Sequence, residues 1–247
     1  MVETQSEDQA PGVPNPRRIR SPLVLIVAAV ILFGAFWVWL LAHRAFSVPA
    51  GSMIPTIQIG DYLWPSTLSY GLTKYTYPFS SALGDARYFD APPQRGDVAL
   101  FEVHKPNSTI YIKRVIGLPG DKIQMKDGRL FINGDMVERR PIADFSSKTL
   151  SGKAKDVPTY EETLPGGTSH LIIEIEGDTG PYDNTDVYEV PPDHYFVLGD
   201  NRDNSVDSRM PMERAGIGMI ARGDFVARVD RVLFSTTNSN RLFVPVR

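Results

Sequence analysis

Polarity along the chain falls into three regimes. From Met1 to about Asn15 the residues are polar and proline-containing with no apolar period, the pattern of a disordered tail. Leu23 to Ala42 then runs without a charge, through Leu25, Ile26, Val30, Leu32, Phe36, Trp37 and Leu41. About twenty helical residues reach roughly 30 Å, the thickness of one bilayer core. Beyond Arg44 the period shortens to two and turn signals become frequent.

The apolar run predicts a transmembrane anchor over 22–43. A cleaved signal peptide has a shorter apolar region and a small-x-small exit, which His43-Arg44-Ala45 does not supply. A buried core helix of this length keeps a polar face. Arg17, Arg18 and Arg20 precede the run and only Arg44 follows closely. The positive-inside rule therefore places residues 1–21 in the cytoplasm as a basic tail, and everything after residue 44 outside it. Trp37 and Trp39 sit near the exit end, as interfacial aromatics do.

The exported part reads as mostly β, in antiparallel sheets. Asp97–Val103 and Ile110–Ile116 read as strands, His194–Leu198 as another apolar strand and Phe225–Phe234 as a further, alternating one. Lys122 to Met136 is punctuated by Asp127-Gly128 and Asn133-Gly134, both strong hairpin dipeptides. No long amphipathic helix is predicted after the anchor. Residues 140–191 are richer in Ser, Lys, Glu, Gly and Pro, with one good strand at His170–Glu176, and are expected to form a smaller inserted β cap. That leaves 44–139 and 192–247 as the principal β domain. Between Ser66 and Pro93 lie Tyr70, Tyr75, Tyr77, Phe79, Tyr88 and Phe89, which either meet lipid headgroups or cover the core.

Composition mainly excludes. A net charge of -3 gives no basic footprint for nucleic acid. With no cysteine there are no disulfides, thiol nucleophiles or thiolate metal sites. At 247 residues and 42% hydrophobic content there is material for a packed core.

Chemistry concentrates in three segments. Ser52, in Ser47-Val48-Pro49-Ala50-Gly51-Ser52-Met53-Ile54-Pro55-Thr56, lies about ten residues beyond the apolar run. A serine needs a proton acceptor to become a nucleophile. Of the four histidines, His43, His104, His170 and His194, none sits in a supporting motif, and Ser52 lacks the Gly-x-Ser-x-Gly elbow. Lys113 is the better base, in the middle of an apolar strand. There it is either a solvated edge lysine or a partly buried one whose pKa burial depresses. The third segment, Gly199 to Arg209, crowds charges of both signs into one turn after a strand. As a calcium loop it puts Arg202 at a ligand position and lacks a closing glutamate. It is either a solvated loop or an Asp/Arg network that braces a catalytic lysine. Arg95-Gly96-Asp97 and Arg222-Gly223-Asp224 read as turns entering strands.

Taken together, these segments resemble the bacterial type I signal peptidases, membrane-anchored Ser-Lys endopeptidases. The matches run in order: the anchor, Gly51–Thr56 with Ile59-Gly60-Asp61, Arg95–Val98, Tyr111–Asp121 and Gly199–Arg209. The resemblance implies an antiparallel β fold, Ser52 as nucleophile, Lys113 as general base, and Ser205 orienting the lysine. It implies a supporting network of Arg114, Asp200, Asn201, Asp207 and Arg209, and pockets lined by Phe46, Val48, Pro49, Met53 and Ile112. The implied substrates are signal peptides of preproteins ending in Ala-x-Ala, met at the bilayer surface near the secretion translocon. No cofactor or metal is implied. One departure stands out: Ala50 occupies a position where many members carry a serine that helps hold the oxyanion, so a backbone N–H or a water is expected to compensate. Self-cleaving repressors share the Ser-Lys chemistry but carry DNA-binding helices, which this chain lacks. The remaining alternative is a non-catalytic anchored β domain that binds envelope partners.

Overall fold

A computed structural model of the chain describes residues 22–42, 45–76, 82, 84, 86–103, 109–146 and 156–246. It contains two units, Met1–Trp39 and Leu40–Arg247. Helix α1 spans Pro22–Ala42, and its side chains, described through Trp37, are exposed. Among the described residues no helix is long and apolar enough to cross a membrane. The tail over 1–21, His43, Arg44, the Trp39 side chain, Tyr77, Phe79 and His104 lie outside the described residues.

The second unit is built of antiparallel β sheets, as the period-two pattern predicts. Strands β1 (Phe46–Ser47), β2 (Asp61–Ser66), β3 (Val98–Val103) and β4 (Thr109–Gly117) open the main sheet. A run of short strands follows: β5 (Lys122–Lys126), β6 (Arg129–Ile132), β7 (Asp135–Met136), β8 (Glu138–Pro141), β9 (Phe145–Ser146), β10 (Asp156–Val157), β11 (Thr159–Thr163), β12 (Ser169–Ile173) and β13 (Tyr188–Glu189). The chain then returns to the main sheet with β14 (His194–Leu198), β15 (Ile220–Ala221), β16 (Phe225–Ser235) and β17 (Val244–Pro245). The main-sheet order is β1-β2-β16-β3-β4-β14-β15, with β17 on β16.

Local chemistry explains the turns. Asp127 and Gly128, joining β5 to β6, both have positive φ (46° and 67°), the type I′ geometry that suits a two-residue hairpin. Arg222–Asp224 forms one 3₁₀ turn that feeds β16.

The strands between β4 and β14 divide into three small sheets, β13-β5-β6-β7, β12-β11-β8 and β10-β9. The segment 140–191 is therefore not closed on itself. Its last strand, β13, pairs with β5, and β11 pairs with β8, which straddles residue 140. The core lies along the main sheet. Val48, Met53, Ile57, Leu63, Leu100 and Val229 form one cluster; Tyr70, Phe101, Val115, Tyr195 and Phe225 form another. A smaller cluster joins Ile54 to Val157 and Ile173, so the inserted strands pack against the turn that carries Ser52.

Candidate active site

Ser52 sits in a tight turn between β1 and β2. The hairpin pairs Phe46 with Leu63, and Val48 N–H donates to Asp61 O at 3.0 Å, which closes the loop at its base. Met53, Ile54 and Ile57 bury their side chains, while Ser52 stays half-exposed. The turn is thus anchored by apolar residues directly after the serine.

Lys113 comes from β4, opposite Ala99 of β3. Its Nζ lies 2.5 Å from Ser52 Oγ, and the residue is 3% exposed. Of the two sequence readings, the buried one is realised. Burial lowers the ammonium pKa to about 8, even though the charges of Asp207 and Asp200 pull it upward. An amine with that pKa is neutral in roughly a tenth of molecules at pH 7, far more than an ordinary lysine, and in that form can take a proton from a hydroxyl it touches.

Around this pair is a buried ionic framework. Arg114, next to Lys113 on β4, clamps Asp200 through Nε (2.9 Å) and Nη2 (2.7 Å), and its Nη1 donates to Gly96 O at 2.9 Å. Thr56 Oγ1 donates to the same Asp200 at 2.6 Å. Asn201 N–H donates to Ser52 O at 3.1 Å, and its side-chain amide to Gly51 O at 3.1 Å. Arg209 holds Asp207 bidentately at 2.9 and 3.0 Å. Burial alone would raise the Asp207 carboxyl, but the Arg209 charge and hydrogen bonds outweigh it and hold the group below the usual carboxylate range. The loop from Gly199 to Arg209 is therefore a braced framework, not a solvated turn.

Other residues fall less simply. Ser205 lines the cleft, but its buried Oγ has no hydrogen-bond partner, so the expected bond to Lys113 is not formed. A side chain on Gly199 would collide with that Oγ and with the Ser52 carbonyl, which explains glycine at the head of the loop. Val48, Pro49, Ala50, Met53 and Ile112 line a cleft of about 590 Å³ that opens onto Ser52 and Lys113; Tyr111, Tyr182, Val206 and Met210 add further walls. Phe46 does not line it and packs on the core instead. Neither described histidine serves Ser52. His194 Nδ1 lies 2.9 Å from Pro192 O, and His170 is buried beside Glu162 without a hydrogen bond. Burial, with Arg114 and Arg202 nearby, keeps His170 neutral.

The profile of the family described as signal peptidase, peptidase S26, matches residues 19–234. The chain belongs to this family. Relatives include a signal peptidase I of Rickettsia canadensis (strain McKiel), 36% identical over 215 residues that cover 84% of this chain and 78% of that one. A signal peptidase I of Rickettsia massiliae (strain Mtu5) is 37% identical over 209 residues, covering 82% and 75%. A solved signal peptidase I from Enterococcus faecalis V583 shares 26% identity, covers 56% of this chain and 97% of its own, and has a TM-score of 0.31.

Two supports of this signal-peptidase site were invisible in the sequence. Arg202 makes a bidentate pair with Glu162 of β11, at 3.1 and 2.6 Å, both residues buried. Its N–H donates to Ile173 O at 3.1 Å, which ties the inserted sheet to the loop. Arg241 reaches back from the chain's end to Asp61, with Nη2 at 2.7 Å, and to Thr56 O at 2.8 Å. Glu162 stands in the polar-looking Thr159-Tyr160-Glu161-Glu162-Thr163, where nothing in the sequence marks it for burial.

Proposed function

We propose that the chain is a membrane-anchored serine endopeptidase that removes signal peptides from exported preproteins, with Ser52 as nucleophile and Lys113 as general base. The observation that carries the assignment is the 2.5 Å approach of Ser52 Oγ to a buried Lys113 Nζ, at the head of an apolar-walled cleft in a signal-peptidase chain.

The neutral Lys113 amine accepts the Ser52 proton as Oγ attacks the scissile carbonyl. The tetrahedral intermediate collapses to an acyl-enzyme, and the Lys113 ammonium returns the proton to the leaving amine. A water, deprotonated by the again-neutral Lys113, attacks the ester; collapse frees the new carboxyl end and restores the Ser52 hydroxyl. The Ser52 backbone N–H serves the oxyanion, and Ala50 contributes no hydroxyl beside it. Ser205, which lines the same cleft as Lys113, orients the lysine amine through its hydroxyl. Val48, Pro49, Met53 and Ile112 offer a shallow apolar wall suited to small side chains, which supports Ala-x-Ala sites.

The uncharged run through Pro22–Ala42, preceded by Arg17, Arg18 and Arg20, supports a single-pass anchor with the catalytic unit outside the cytoplasm. Ser52 follows that run by only about ten residues, which supports a nucleophile that meets preproteins at the membrane surface as they leave the translocon.

The test is preprotein cleavage in detergent by wild type, Ser52→Ala and Lys113→Ala, with the product ends sequenced. Wild type is expected to cut after small-x-small sites, and each variant to lose at least about 10³-fold in kcat. Retained activity in Lys113→Ala would remove the dyad. Absence of cleavage by wild type would leave a binding module in place of an enzyme.

A further inference from the structure

Glu174, Asp183 and Asp203 come from three places, the segment after β12, the turn beyond Gly180, and the loop after β14. Their carboxylate oxygens lie within 4.8 Å of one another. Glu174 and Asp183 are buried to 0% and 1% exposure. Each keeps one oxygen, Glu174 Oε2 and Asp183 Oδ1, without any hydrogen-bond partner. Buried carboxylate oxygens are ordinarily satisfied by donors or by metal ions, because an unpaired charge out of water is strongly unfavourable.

The nearby cations are committed elsewhere. Arg139 Nη1 approaches the other oxygen of Glu174 at only 3.5 Å, while its Nη2 holds both oxygens of Asp178 at 2.9 Å. Arg202 and Arg209 are bidentate to Glu162 and Asp207. The remaining contacts are single backbone donors, Glu176 N–H to Asp203 Oδ2 at 2.7 Å and Gly180 N–H to Asp183 Oδ2 at 2.5 Å.

We propose that Glu174, Asp183 and Asp203 form a binding site for a divalent cation of the calcium class. The donors are all carboxylate oxygens, the preference of a hard cation. Magnesium keeps most of its waters and is usually held by one or two carboxylates, whereas three protein carboxylates on irregular backbone suit calcium. The loop after β14 has no calcium-loop pattern of its own; one of its acids meets two from elsewhere. Tyr182, beside Asp183, and Asp203 both line the cleft. The cation therefore joins two walls of the cleft to the inserted sheet behind them.

The test uses the full chain in detergent, freed of metal by a chelator, with Tb³⁺ and Ca²⁺ as probes. Tyr182 is placed to sensitise terbium luminescence. Saturable emission displaced by Ca²⁺ is expected, with a rise in Tm of about 5–10 °C at a hundredfold excess over Kd. Glu174→Gln and Asp183→Asn should abolish both responses. Should either fail to fold, Asp203→Asn, at the half-exposed member, carries the same expectation. The proposal is overturned by no saturation below about 10 mM Ca²⁺, beyond the range of extracellular calcium modules. It is equally overturned by an undiminished response in the folded variants, or by Mg²⁺ binding more tightly than Ca²⁺. Loss of the cation response leaves the Ser52–Lys113 reading untouched, since that rests on preprotein cleavage.

Discussion

Lys113 shows how one residue's surroundings set its chemistry. It lies on β4 with Tyr111 and Val115, members of an apolar cluster, at neighbouring alternate positions. Desolvation outweighs two acidic neighbours and brings its pKa from 10.5 to about 8. That gap corresponds to roughly 3 kcal/mol favouring the neutral amine. The pH profile of kcat/KM for preprotein cleavage should therefore rise through an apparent pKa near 8, and a limb rising only near 10 would contradict a depressed lysine. The sign for stability follows from the same shift. Below pH 8 the folded state carries a disfavoured buried ammonium. Between about 8 and 10.5 the unfolded chain holds the proton the folded one has released, so Lys113's contribution to stability increases with pH over that window.

At the scale of elements, the turn bearing Ser52 is held from outside its own strands. Arg241 binds the fully buried Asp61 and the Thr56 carbonyl, and Thr236 and Thr237 close over Gly60 and Ile59. Removing the guanidinium leaves a buried carboxylate without its counter-charge. Arg241→Ala should therefore destabilise the protein by about 3–5 kcal/mol in denaturant titration. It should also lower kcat, since the serine turn loses a brace. Equal stability in the variant would mean that Asp61 is satisfied by Gln58 N–H alone. This brace also marks the limit of what the sequence discloses. β4, β14 and β16 were legible because a short apolar run rich in β-branched and aromatic residues is a local signal, and the two Asx-Gly hairpins because φ > 0 restricts residue choice. Arg241–Asp61 and Arg202–Glu162 were not, because an ion pair between distant segments leaves no periodicity in either one. Ser52, Lys113 and the 199–209 network were legible only as a set. Each segment alone had an ordinary reading, and Phe46 shows that family position does not guarantee a place in the cleft.

For the whole molecule, the decisive property is the union of an apolar N-terminal run with a catalytic β unit. If α1 anchors the chain as proposed, the expressed protein should stay with membranes through alkaline carbonate extraction. A protease added outside the cytoplasmic membrane should reach the β unit but not the Arg17–Arg20 tail. Release by carbonate would refute the anchor. The inserted sheets belong to this scale too. Ile54 packs with Val157 and Ile173, and Glu162 pairs with Arg202, so the region between β4 and β14 is a structural partner of the site. The interruption in the sequence pattern concealed this, because the contacts are made by isolated buried residues in otherwise polar strands.

The strand order carries one more consequence, which concerns the ribosome. β16 lies between β2 and β3, so within the main sheet the hairpin bearing Ser52 is hydrogen-bonded toward the strand bearing Lys113 through residues 225–235. During synthesis both reactive groups emerge long before that bridging strand does. A nascent chain therefore lacks the main-sheet pairing between the two strands' neighbourhoods until β16 has been made and inserted.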